Sequence, residues 1–442
     1  MSTYTATAYD DMPLNGFHLR VAVASTGGVF SDGFGLGIIG IALTLATTPL
    51  KLTPLWLGLL GGASLAGLFL GALLTGPVAD QYGRRPVFAY NMALLALLSA
   101  LQFVISAPVQ LLVLRLAIGF LLGTDYVVSK ALLTEFSPQR VRGRILSILS
   151  VAWAGGYTCA YFVGFLLASG GTDAWRWMLL TSALPCLLIL PLRVTMPESP
   201  LWLAGHGFAA RAGAVVQARF GAGVRAPEPV LSAPCEQGRW RQLASPVWRR
   251  RTIVACTFFT CQVIPYFALG TFVSRVLEAL HVRSAYVGGL VYNVALLLGA
   301  IIGLFVVDLL SRRAFLVGSF SIAAAAMLVL TAATELSGVA IIVLFAVIAG
   351  VLSGASNLVY VYLPELFPTD LRASGIGLAI AASRVGSAVS TFLLPVLVAG
   401  LGVHVALGGC VVVLTCGAVV CYLWAPETKY VRLSAMGEGV PT

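Results

Sequence analysis

The sequence predicts an all-α membrane protein of twelve transmembrane helices arranged as two pseudo-symmetric six-helix bundles. Three observations predict it. Of its 442 residues, 59% are hydrophobic and only 10% charged, with a mean hydropathy of +0.95. A soluble domain of this length needs far more charge on its surface. Apolar runs long enough to cross a bilayer recur along the chain, and short polar motifs repeat between its two halves at a nearly constant offset.

A spanning helix needs roughly 20 mostly apolar residues. Such runs lie at about 21–46, 56–78, 86–106, 108–133, 145–168 and 175–195, then at about 251–277, 287–309, 314–334, 337–362, 373–399 and 402–424. They are spans one to twelve below. They divide the chain into a tail over 1–20, a first bundle over 21–195, a polar linker over 196–250 with one short surface helix, a second bundle over 251–424 and a tail over 425–442. The N-terminal stretch has no basic n-region and no cleavage site before an apolar core, so no signal peptide is expected.

Charge placement sets the orientation. With both termini cytoplasmic, twenty of the 27 Lys and Arg residues fall on the cytoplasmic side, Arg193 at the end of span six among them. This is the positive-inside pattern. It accounts for the net charge of +10 without any nucleic-acid partner. Seven of the eight cysteines lie in apolar stretches and none forms a C-x-x-C pair. They read as small buried hydrophobes, not as a metal or redox site.

The repeat is legible in three motifs. GPVADQYGRR carries Asp80, Arg84 and Arg85; GLFVVDLLSRR carries Asp308, Arg312 and Arg313 at the same spacing. TEFSPQRVRG carries Glu135 and Arg142; PELFPTDLRAS carries Glu365 and Arg372. A Pro-Glu pair begins at Pro197 and again at Pro426. Asp308 follows Asp80 by 228 residues, Glu365 follows Glu135 by 230 and Pro426 follows Pro197 by 229. The chain is a duplicated six-span unit, a recurring plan in transporters whose substrate site lies between the repeats near the midplane. Each motif sits where a span meets the cytoplasm. The expectation is a latch between the halves when the cytoplasmic side is closed, built from Asp80, Arg84, Arg85, Glu135, Arg142, Asp308, Arg312, Arg313, Glu365 and Arg372; helix capping and simple anchoring are the blander alternative.

These motifs, together with P-E-S-P after span six and P-E-T-K after span twelve, resemble those of major facilitator transporters across nearly the whole chain. The nearest branch contains sugar porters, phosphate symporters and aromatic-acid symporters. Two local matches refine the likeness. GTDYVVS over 123–129 resembles a segment of phosphate:proton symporters, which implies that Asp125 and Tyr126 lie at the substrate and proton site; the family proline is Val127 here. DGFGLGIIG over 32–40 resembles a sugar-porter stretch whose proton-coupling Asp would fall at position 35, where this chain has Gly35. Asp32, on nearly the same helix face, is expected to take over that role.

Ionisable residues at bilayer depth are expensive and functional by default. At about 1.5 Å per residue, Asp32 and Arg384 lie roughly 16 Å into their spans and Asp125 roughly 13 Å from the cytoplasmic end of span four. Lys130 lies nearer the cytoplasm, where its stem can snorkel. The two acids and two bases sum to zero in one cavity. Asp125 or Asp32 is expected to carry a proton, since a carboxyl removed from water favours its neutral form. Arg384, with Lys130, offers a fork for a substrate carboxylate or phosphate. Arg115, near the outer end of span four, reads as structural. Tyr157, Gln262, Tyr266, Asn293, Asn357 and Tyr360 are further candidates for the cavity wall, although such residues also serve as interhelical glue. Pro265 is expected to kink or break span seven.

The expected function is proton-coupled transport, by alternating access, of a small polar metabolite that bears a carboxylate. The expected setting is a monomer in a bacterial inner membrane with both termini cytoplasmic, its partners being the substrate, protons and the lipid bilayer. Proton-driven export of a metabolite, siderophore or toxic compound, sugar or polyol symport, and a non-transporting receptor are the alternatives. The chain carries no nucleotide loop, metal-ligand cluster or nucleophile elbow, so no enzyme, metal or cofactor is expected.

Overall fold

The structure, a computed structural model, describes residues 8–221, 223–227, 242–333, 336–367 and 369–428. Among them, twelve helices are long and apolar enough to cross a membrane. Spans one to six cover Gly16–Ala46, Pro54–Tyr82, Arg84–Val104, Pro108–Phe136, Gln139–Leu167 and Ala174–Val194. Spans seven to twelve cover Arg249–Ala279, Ala285–Leu309, Arg312–Ala332, Gly338–Ala355, Ser374–Leu401 and Val403–Trp424.

Local chemistry sets the starts. The side chain of Asn15 accepts from the amides of Phe17 and His18 at 3.1 and 3.3 Å, opening span one. Thr53 caps span two ahead of Pro54, where a missing N–H costs nothing. Ser311 and Ser337 do the same for spans nine and ten, each accepting an amide at 3.2 Å. The outer faces carry large apolar residues in the open, Leu188 at 80% and Leu309 at 75% exposure. Water would penalise such a surface; acyl chains do not.

Two breaks differ from expectation. Pro265 sits inside a continuous helix, and the non-helical residue of span seven is Phe272, at φ −114° and ψ 23°. Span ten ends at Ala355 and resumes as a short helix over Leu358–Glu365, so its interruption falls at Ser356 and Asn357. Among the described residues the linker carries the short helices Pro200–Gly205 and Ala209–Phe220, where one was expected.

Within each half, span one packs on span five and span two on span four; their counterparts seven and eleven, and eight and ten, pack likewise. The halves meet through spans two and eleven, five and eight, and one and seven. The seam is tightest on the side away from the repeated motifs. There Gly40 lies so close to the carbonyl of Thr271, and Gly58 to that of Phe392, that any Cβ would overlap them. Hydrogen bonds cross the same seam: Tyr161 Oη and Ser274 Oγ are 2.7 Å apart, Thr158 donates to the carbonyl of Asn293 at 2.8 Å, and Arg275 donates to Thr47.

Among the described residues, the ion pairs of Arg84, Glu135, Arg312 and Glu365 lie within their own halves. In the first half Arg84 pairs with Asp80 at 2.7 Å and Glu135 at 3.2 Å. The amides of Arg84 and Arg85 donate to Glu198, and Arg142 donates to the carbonyl of Ser137. In the second half Arg312 pairs with Glu365 at 3.4 Å, and the amides of Arg312 and Arg313 donate to Glu427 at 3.0 and 3.1 Å. Asp308 is exposed; the side chain of Arg372 lies outside the described residues. Each cluster therefore staples the ends of spans two, three and four, or eight, nine and ten, to the segment that leaves its own bundle. The acid of each Pro-Glu motif fits the two amides that open span three or span nine, where the dipole is positive. That contact is local to a half by construction.

Gly40→Val should overpack the seam and cost about 1–3 kcal/mol, read as a lower melting temperature in detergent; an unchanged melting temperature would contradict the close approach described here.

Candidate functional site

A cavity lies between the halves. Its wall takes Asp32 and Leu36 from span one, Tyr126 from span four, Ser150 and Trp153 from span five, Phe259, Gln262, Tyr266 and Phe267 from span seven, Tyr360 from the short helix after span ten and Arg384 from span eleven. Both halves contribute, as a site between repeats requires. Gly33 and Gly37 let span one press against the backbone of Trp153 and Tyr157, which sets Asp32 and Trp153 on adjoining walls.

Of the eleven sequence candidates, six line this cavity: Asp32, Tyr126, Gln262, Tyr266, Tyr360 and Arg384. Asp32 is 3% exposed, and its Oδ1 is buried without a hydrogen-bond partner among the described residues. Arg384 is 6% exposed, with its guanidinium 5.4 Å from the Tyr126 ring, 5.7 Å from Phe259 and 5.8 Å from Phe267. Lys130 stands beside the cavity, its ammonium 3.4 Å from the Tyr126 ring and 4.7 Å from that of Tyr360. Among the described residues, neither cation has a carboxylate within 4.0 Å.

Four candidates serve elsewhere. Asn357 donates to the carbonyls of Ala300 and Gly354 at 3.1 Å and accepts from Ser150 across the halves at 2.9 Å. Asn293 donates to the carbonyl of Gly289 at 2.7 Å, and Tyr157 stacks under Trp153 with centroids 5.1 Å apart. Of these, the contacts of Asn357 with Ala300 and Ser150 join neighbouring helices, as polar residues often do in lipid, while those of Asn293 and Tyr157 stay within one helix. The fourth is Asp125, which the sequence reading placed in the cavity. It is fully buried against Arg193, also fully buried. Arg193 Nη2 donates to Asp125 Oδ2 at 3.0 Å and to Ser129 Oγ at 3.1 Å, and Nη1 reaches Asp125 Oδ1. Ser129 donates to Asp125 Oδ2 at 3.0 Å. Arg193 Nε donates to the carbonyl of Ala24 at 3.2 Å, and its Cζ lies 3.9 Å from the Phe88 ring. One guanidinium thus joins spans one, three, four and six. Asp125 and Tyr126 are neighbours in sequence, yet successive helical residues point about 100° apart, so one faces the bundle core and the other the cavity.

Arg193 was assigned to the cytoplasmic surface; its place inside the run 175–195 was the signal against that. Trp153, Phe259 and Phe267 were also missed. Phe259, Gln262, Val263, Tyr266 and Phe267 follow helical spacing, so the stripe through Gln262 already contained the two phenylalanines, and Trp153 precedes Tyr157 by one turn. Arg115, 0% exposed, gives both terminal nitrogens to the carbonyl of Gly35 at 3.1 Å. The position at which the resemblance expects a coupling acid therefore holds a backbone oxygen under an arginine.

Residues 21–439 match the family described as sugar (and other) transporter. The chain belongs to this family. Among relatives, the inner membrane metabolite transport protein YgcS of Escherichia coli K12 is 42% identical over 97% of this chain and 96% of its own. A second metabolite transport protein of that organism, YaaU, is 36% identical over 96% of each chain. The xylose transporter XylE of E. coli, in a partially occluded inward open conformation, superimposes with a TM-score of 0.78 over 95% of this chain and all of its own, at 19% identity. That likeness shows the fold. This sugar (and other) transporter is a multi-pass membrane protein of the major facilitator superfamily, and its cargo is a small molecule of the sugar or metabolite kind.

Removing one member of a buried ion pair strands the other and costs about 3–5 kcal/mol. Arg193→Met should therefore lower the melting temperature strongly, and Asp125→Leu in the same chain should restore much of the loss. Equal instability of the single and double variants would show that the pair is not what holds these four spans together.

Proposed function

We propose that this transporter moves a small carboxylate-bearing metabolite across the bacterial inner membrane in coupling to protons, by alternating access of a site between its two halves, as a monomer with both termini cytoplasmic. The observation that carries the reading is the charge balance of the cavity. Arg193 neutralises Asp125 outside it. What remains is one acid, Asp32, against two bases, Arg384 and Lys130, with no carboxylate within 4.0 Å of either base among the described residues. A cation in an apolar wall is costly without a counter-charge, and a monoanionic substrate supplies one. The planar fork of Arg384 suits a carboxylate.

The proton follows from the same balance. A buried charge without a partner is expensive, and a carboxyl sheds that cost by taking a proton. Asp32 stands on the cavity wall with an unpartnered oxygen, so its proton and the bound anion act on one electrostatic site. Asp125 is not retained as a proton carrier, because both its oxygens are already committed to Arg193 and Ser129.

A ligand that binds the folded state raises the melting temperature by mass action. Screening small acids, sugars and amines should show carboxylates stabilising the wild type, and Arg384→Gln should bind them about 10- to 100-fold more weakly, the worth of a hydrogen bond to a charged group. Stabilisation by neutral sugars alone, or equal affinity of Arg384→Gln for acids, would overturn the anion site.

A further inference from the structure

Some polar groups of the cavity are already used. Gln262 spends its Nε2 on the carbonyl of Leu352 at 2.9 Å. Ser150 spends its hydroxyl on Asn357. Around them stand six aromatic side chains: Tyr126, Trp153, Phe259, Tyr266, Phe267 and Tyr360. Three of them, Trp153, Tyr266 and Phe267, form a connected surface across the halves. Trp153 of the first half lies 5.9 Å from Tyr266 and 5.7 Å from Phe267 of the second, the latter edge-on at 81°. Phe267 in turn flanks the Arg384 guanidinium at 5.8 Å. The charge and Trp153 are thus one ring apart on the same wall.

Resting on the carboxylate reading above, we propose that the anion carries a flat unsaturated ring bonded to its carboxylate, and that Trp153 is the residue that reads the ring. A polyol needs a hydrogen-bonding partner for each hydroxyl, because polar groups buried without partners lose binding energy; Gln262 Nε2 and the Ser150 hydroxyl of this wall are already committed. An unbranched aliphatic acid satisfies Arg384 but leaves aromatic faces unmatched. A planar ring presents its face or edge to such surfaces in the offset and edge-on arrangements that aromatic pairs prefer. Trp153 is suited to this task because one side of its indole is braced at 27° against Tyr157, so the ring is held without the ligand. A braced ring loses little freedom on binding. Its position between Asp32 on span one and the aromatic stripe of span seven also makes it the place where a ring would touch both halves at once.

The test compares three probes on the full-length protein in detergent: benzoate, cyclohexanecarboxylate and xylose. The two acids share their charge and carbon count and differ in the planarity and π-system of the ring. Benzoate should bind about tenfold more tightly than cyclohexanecarboxylate, the scale of one aromatic contact. Trp153→Leu should erase that preference while keeping the weaker affinity for both acids, and Trp153→Phe should keep most of it; the ligand-free melting temperature of each variant reports its folding. Equal affinity of the wild type for the two acids overturns the ring proposal and leaves the carboxylate site standing. A preference that survives in Trp153→Leu overturns the role of Trp153. Binding of xylose with neither acid overturns both readings together.

Discussion

The ion pair between Asp125 and Arg193 is the contact on which the rest of this structure depends. It is wholly buried in the first bundle, far from bulk water, and it works because nothing in it is left over. Both carboxylate oxygens are used, the Ser129 hydroxyl both donates and accepts, and Arg193 spends its remaining nitrogens on the carbonyls of spans one and three. Such a pair is not a large source of stability compared with an apolar replacement, but breaking it from one side is severe. What it provides is register: four helices meet one guanidinium at defined heights. It also removes Asp125 from the cavity, and this leaves Asp32 as the acid there against two bases.

A second consequence concerns motion. The clusters of Arg84, Glu135 and Glu198, and of Arg312, Glu365 and Glu427, each close within a half. With the Asp125 pair inside the first bundle, they make each half a coherent body. The seam between the halves is of another kind, close backbone contact at Gly40 and Gly58 with hydrogen bonds from Tyr161, Thr158, Ser150 and Arg275. Two bodies joined by a seam around a shared cavity are what an alternating-access cycle requires. The cavity wall straddles that seam, so a bound molecule touches both bodies.

The twelve spans were legible because a bilayer admits only backbone that satisfies itself, so each crossing must be written as one long apolar run. The duplication was legible because each helix end repeats the same charge pattern. The site was legible as a set of residue types and depths: Asp32 and Arg384 stand where an intramembrane charge should. What the sequence could not settle is which charge meets which. Asp125 had Arg384, Lys130 and Arg193 within plausible reach along their helices, and the choice is made by rotation of span four about its own axis. The amides of Asn293 and Asn357 have the chemistry of binding groups, yet backbone carbonyls claimed them first, Gly289 of the same helix for Asn293 and Ala300 of span eight for Asn357. The kink of span seven at Phe272 follows from packing at the seam beside Thr271 and Gly40, which no local signal at Pro265 reports.

The central claim is that Asp32 carries the proton and Asp125 holds the fold. Purified protein in liposomes, loaded with a substrate found by the ligand screen, separates the two roles. Asp32→Asn should abolish accumulation driven by an imposed proton gradient while leaving exchange of labelled for unlabelled substrate intact, since exchange needs binding and movement but no net proton. Gradient-driven accumulation that persists in Asp32→Asn would contradict the account.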